Sequence, residues 1–196
     1  MKERQFLWGL SFGIAFLGIA GVFWFGLGVS SFLKPASEWY LWLLLTVIQL
    51  SALVSFLLIS FSIRKRSGFK TKNFKELTDE QRLSAKSIRK NFMWTSFIQA
   101  LLIVVIVLWC NNINAINQMW SWISLVISFH FLPLGKIFNV TAYYVTGICG
   151  CAVSVISIIG AFGLYTILIL GIIMALIMWL SAVYLFFMSK NIQIRS

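Results

Sequence analysis

The chain is poor in most residue types that carry chemistry. Its 196 residues include five Asp or Glu, one His, two Pro and three Cys. Between their ends the long apolar runs hold no Asp, Glu, Lys or Arg. Proton pumps, cation-coupled carriers and intramembrane metalloproteases use ionisable groups inside the bilayer, so that absence argues against all three. A zinc site takes about four ligands. Cys149 and Cys151 are two apart and diverge on a helix, Cys110 stands alone, and one histidine does not complete a set, so no metal or other cofactor is expected. There is no phosphate-cradling glycine loop and no Ser–His pair in a hydrolase context. The chain is therefore expected not to be an enzyme.

Charge is scarce as well. Charged residues make up 11% of the chain and hydrophobic ones 60%, with a mean hydropathy of +0.92. A soluble domain carries about 25% charged residues and could not hide so much apolar surface at this size. The apolar residues fall in runs of membrane-spanning length. Six spans fit, at about 6–33, 39–63, 91–110, 118–137, 138–159 and 163–188, forming a single transmembrane domain over 1–196. The expected fold is all-α, a bundle of six membrane helices. The first run is too long for a cleavable leader and reads as a retained span.

What charge there is has a pattern. The net charge is +11, and ten of the sixteen basic residues lie in the loop 64–90. Lys2, Arg4, that loop, Lys136, Lys190 and Arg195 fall on one side of the six-span threading. Lys34 is the lone cation on the other. Basic loops stay on the cytoplasmic side, which places both termini there. Anionic lipid accounts for the excess of cations, and no nucleic-acid-binding motif is present. Trp39, Tyr40, Trp42, Trp109, Trp120 and Trp122 gather at the predicted outer ends, and Trp8 and Trp94 at the inner ones, as interfacial belts do. Trp24 and Trp179 fall deeper.

Within the loop, Thr78-Asp79-Glu80-Gln81 reads as a capping box, which predicts a helix from about Asp79 running into the third span. Phe69 and Phe74, among lysines, suit either a solvated linker or a dip into the headgroup layer. Small residues mark packing faces: Gly9, Gly13, Gly18 and Gly21 in span one, Ser51 and Ser55 in span two, and Ser121, Ser124 and Ser128 in span four. Span five adds Gly147, Gly150, Cys151 and Ser154, and span six Gly171 and Ala175. These faces would also suit a homodimer.

Polar side chains of similar predicted depth form the candidate site. His130 lies about 9 Å inside the inner interface, counted from Lys136. Pro133 lacks the N–H that would bond the Phe129 carbonyl, which predicts a helix kink there. Thr95 and Gln99 share a face of span three, and Tyr143, Tyr144 and Thr146 stand on span five. Together they predict a polar layer in the cytoplasmic half. One reading is a small-molecule binding or transport site with His130 as hydrogen-bond partner or proton acceptor. The other is an interhelical network that locks the bundle, each bond worth about 0.6 kcal/mol. A third class of function, a membrane helper in assembly, immunity or sensing, would act through lateral helix contacts alone.

The segments His130-Phe-Leu-Pro-Leu-Gly135 and Tyr143-Tyr-Val-Thr-Gly147, with Arg89-Lys90 before span three, resemble a family of small bacterial six-span membrane proteins. That family carries His-Phe-x-Pro-Leu and Tyr-Tyr-x-Thr-Gly elements and has no assigned activity. The resemblance implies a bacterial inner-membrane protein and marks the same polar residues. A second likeness, in architecture alone, is to the substrate-binding subunits of energy-coupling-factor vitamin transporters, whose ligand site opens outward.

Overall fold

A computed structural model describes residues 2–33, 39–67 and 79–192. The protein is all-α, a six-helix bundle: α1 (Lys2–Ser30), α2 (Trp39–Ser67), α3 (Asp79–Asn112), α4 (Ile116–Phe138), α5 (Thr141–Ile158) and α6 (Thr166–Lys190). Each helix is long and apolar enough to cross a membrane. The helix expected from Asp79 is continuous with the third span. The capping residue Thr78, Phe69, Phe74 and Lys34 lie outside the described residues.

Two tight breaks position the later helices. α4 ends at Phe138, one residue beyond the end expected for span four at 137. Asn139 closes it in the left-handed conformation (φ 52°, ψ 47°) and donates its N–H to the Gly135 carbonyl. Asparagine is among the few side chains that tolerate this geometry. Pro133 stands inside α4, which continues past it to Phe138. Between α5 and α6, Gly160 and Gly163 both take positive φ and lead into a short 3-10 turn, Gly163–Tyr165.

The centre of the bundle is the antiparallel pair α1 and α6. Their backbones touch: a β-carbon added to Gly171 would lie 2.6 Å from the Gly28 α-carbon and from the Trp24 carbonyl oxygen. Without a hydrophobic driving force inside lipid, such close approach supplies the packing that holds helices together. Farther along the pair, the Trp179 indole fills the space beside Gly21, and Trp24 is fully buried. α5 packs on α6 and on α4. Rings of α1 meet α4 at Phe16–Phe131 and Phe23–Trp120. α2 flanks this group on α1, where Phe56 covers Gly18 and Ser60 donates to the Ser11 carbonyl at 2.8 Å. α3 flanks it on α4.

The ends of the bundle differ. At one, Arg66 of α2 forks over the last carbonyls of α6, with Nη2 2.9 Å from the Ile192 oxygen and Nη1 3.4 Å from that of Ser189. Such donors satisfy carbonyls left open by a helix C-terminus. Arg64 stands over the Phe12 ring and Lys190 over Phe186. At the other end, aromatic pairs Phe32–Tyr165 and Trp109–Trp122 form the border.

Candidate functional site

The two faces of α4 carry most of the buried polar groups. On one, Ser121, Ser124 and Ser128 oppose Ser157, Ser154 and Gly150 of α5. Both rows step by three and then four residues, in opposite directions, so each turn of α4 meets one turn of α5. Ser121 and Ser157 are joined by a 2.7 Å hydrogen bond, and so are Ser124 and Ser154. The hydroxyls of Ser124 and Ser154 also lie within reach of the Ser121 and Gly150 carbonyls; each has one proton, so one donates across the seam while the other donates to its own helix, and these four serines are buried. Small hydroxyls let the helices close together and leave these groups paired. The same stripe is visible in the sequence as small residues, although Ser157 is a partner that the sequence reading did not single out.

The other face of α4 meets α3. His130 is 7% exposed. Its ring approaches the backbone of Thr95 within hydrogen-bonding reach, and Nδ1 is buried with no partner among the described residues. Just beside it, toward the basic end, the helices part. A groove of about 520 Å³ runs between them, lined by Ile88, Asn91, Trp94, Thr95 and Ile98 of α3 and by Pro133, Lys136 and Ile137 of α4. His130 is three residues from Pro133 on α4 and lies behind this lining, not in it. The proline ring, which cannot continue the hydrogen-bond ladder, forms part of the wall.

The polar layer expected from the sequence is divided between seams. His130 and Thr95 come together, and Gln99 lies half-buried one turn along α3 from Thr95. Tyr143 turns away toward α1, where its hydroxyl occupies the space beside Gly13 and its ring stacks on Phe131. Thr146 faces α6 and shares a 2.6 Å hydrogen bond with Ser181. Tyr144 lies against Gly135 at the outer edge of the α4–α5 seam. Equal depth therefore does not mean a shared site here: each residue turns the side chain by about 100° around a helix, and residues 143, 144 and 146 face three different neighbours.

The remaining polar groups are structural or isolated. Gln49 of α2 packs on Gly26. The Trp42 indole N–H is buried without a partner. Ser51 and Ser55 are exposed and bond carbonyls of their own helix. No group of three potential metal ligands gathers among the described residues.

Six apolar helices in one bundle, with cations gathered at one end and aromatic pairs at the other, describe a multi-pass membrane protein in contact with lipid. No family model, curated protein or solved structure matches the chain.

Proposed function

We propose that this chain is a bacterial cytoplasmic-membrane protein, with both termini and the basic loop 64–90 inside, that binds a small amphiphile in the α3–α4 groove. The observation that carries the reading is a groove between α3 and α4 that joins Asn91, Thr95 and Lys136 to apolar isoleucines, with the buried, unpaired Nδ1 of His130 behind its wall. An unmet buried hydrogen-bonding group costs about 1–3 kcal/mol, and a ligand that pairs with it recovers that cost. Nδ1 can donate or accept, depending on which nitrogen holds the proton. Thr95, Asn91 and Lys136 supply further polar contacts, and the isoleucines an apolar wall.

Binding at the side of the bundle fits better than passage through its middle. The contact of Gly28 with Gly171 leaves no room between α1 and α6, and the serines of the α4–α5 seam already bond one another. A helper function through helix contacts is the second reading. It is favoured by the most apolar stretches of α2 and α3, which hold no buried residue and leave their outer faces to lipid or a partner. The resemblance to a six-span bacterial family agrees with either reading.

The test is to extract small molecules bound to protein purified in mild detergent, for the wild type and for Ile98→Trp, which fills the groove. A molecule retained by the wild type and lost from a folded Ile98→Trp variant supports groove binding. Equal retention contradicts it.

A further inference from the structure

The lining of the groove narrows the class of ligand; this step rests on the groove being a binding site at all. Lys136 is in its wall, and among the described residues it has no carboxylate partner. Acidic residues are absent from α4, α5 and α6, and those of α3 are confined to its first turn, Asp79 and Glu80. Lys86, Arg89 and Lys90 are exposed on the adjoining turns of α3. Among the described residues the mouth thus carries positive charge with no carboxylate beside it, next to the Asn91 amide. Below it the lining changes character. Trp94, Ile98 and Ile137 line it there, and Trp94 and Ile98 are exposed on the outer surface of an apolar membrane helix.

A soluble anion would use the mouth and leave the apolar walls unmet. A neutral amphiphile would use the walls and leave Lys136 unpaired. A molecule with an anionic head and an acyl chain meets both. His130 lies about 9 Å deeper than Lys136, six residues at the helical rise. In a glycerophospholipid the ester region sits beneath the phosphate in the same sense, at about the depth of His130.

We propose that the α3–α4 groove is a site for an anionic glycerophospholipid of the cytoplasmic leaflet, with the headgroup phosphate at Lys136 and Asn91, an acyl chain against Ile98 and Ile137, and its ester region at the depth of His130.

The experiment is native mass spectrometry of the full chain, titrated separately with phosphatidylglycerol, phosphatidylcholine and glycerol phosphate. It compares the wild type with Lys136→Gln, Ile98→Trp and Lys190→Gln, the last removing a cation at the same end of the bundle. Phosphatidylglycerol should bind in preference to phosphatidylcholine. Lys136→Gln should weaken it about fivefold, the factor expected for one lysine near a membrane surface. Lys190→Gln should leave it unchanged, Ile98→Trp should abolish it, and glycerol phosphate should not bind. Equal binding of the two lipids, lost in Ile98→Trp but indifferent to Lys136→Gln, would overturn the anionic-lipid assignment and leave the groove as a binding site. Glycerol phosphate binding as tightly as the lipid would overturn it in favour of a free phosphate ester. Equal weakening by Lys136→Gln and Lys190→Gln would reduce it to general surface charge. Binding that Ile98→Trp does not alter would remove both this assignment and the groove reading.

Discussion

The two faces of α4 carry comparable polar residues and put them to different use. Toward α5, small hydroxyls stand opposite one another, bond in pairs and bring two helices together. Toward α3, a larger ring with an unpaired nitrogen stands where the helices diverge around a proline and a lysine. The first face pairs its hydroxyls, whereas the second keeps a buried nitrogen without a partner among the described residues, behind a groove between the helices. The difference is one of side-chain size as much as polarity. Serine fits between helices in contact, and a proline cannot complete the backbone ladder it interrupts.

This contrast can be broken from either side. The largest effect is expected at the centre that both faces depend on. Gly171→Val should prevent recovery of folded protein, because its side chain would enter the Gly28 backbone. Gly171→Ala should still cost about 1–3 kcal/mol, the usual range for overpacking, read as a fall in the thermal midpoint in detergent. Next is His130→Leu, which keeps an apolar side chain in place and removes the orphan nitrogen. It should leave the empty protein as stable or raise its stability by up to about 1–3 kcal/mol, while ligand binding is lost. A matched fall in stability would mean that the ring is already satisfied. Smallest is Ser124→Ala. Its partner Ser154 keeps the Gly150 carbonyl as acceptor, so no group is orphaned, and the loss should be about 0.6 kcal/mol with ligand binding intact. A loss several times larger would show that the serines work as one cooperative ladder.

Much of the fold is legible in the sequence because hydropathy and charge act on whole segments. Six apolar runs separated by polar residues give the six helices, and Arg64, Lys136 and Lys190 mark one end. Ser121, Ser124 and Ser128 are visible as a stripe because serine is uncommon among Leu and Ile, and their spacing fits one helix face. Facing direction is harder. Tyr143 and Thr146 share a predicted depth with His130, yet turn toward α1 and α6, since rotation about each axis is set by neighbours that the sequence does not identify. Glycine spacing misleads in the same way. Gly9 and Gly13 have the familiar four-residue interval, but nothing lies within 4 Å of a β-carbon built on Gly9. The closest backbone contact uses Gly28, seven residues after Gly21, against Gly171. Trp24 and Trp179, ambiguous by depth alone, both pack inside the bundle, Trp179 against Phe56 and Gly21. The break after α4 is legible from Lys136, Asn139 and the proline before them, but the left-handed turn at Asn139 is not, and the helix runs one residue past 137.

The account turns on the difference between the His130 face and the serine face, and one comparison tests it most directly: the thermal unfolding midpoints of His130→Leu and Ser124→Ala, each with and without added phosphatidylglycerol. His130→Leu is predicted to melt no lower than the wild type without the added lipid and to lose the lipid-induced rise. Ser124→Ala is predicted to melt slightly lower and keep that rise. A His130→Leu variant that melts well below the wild type and retains the full lipid-induced rise would contradict it.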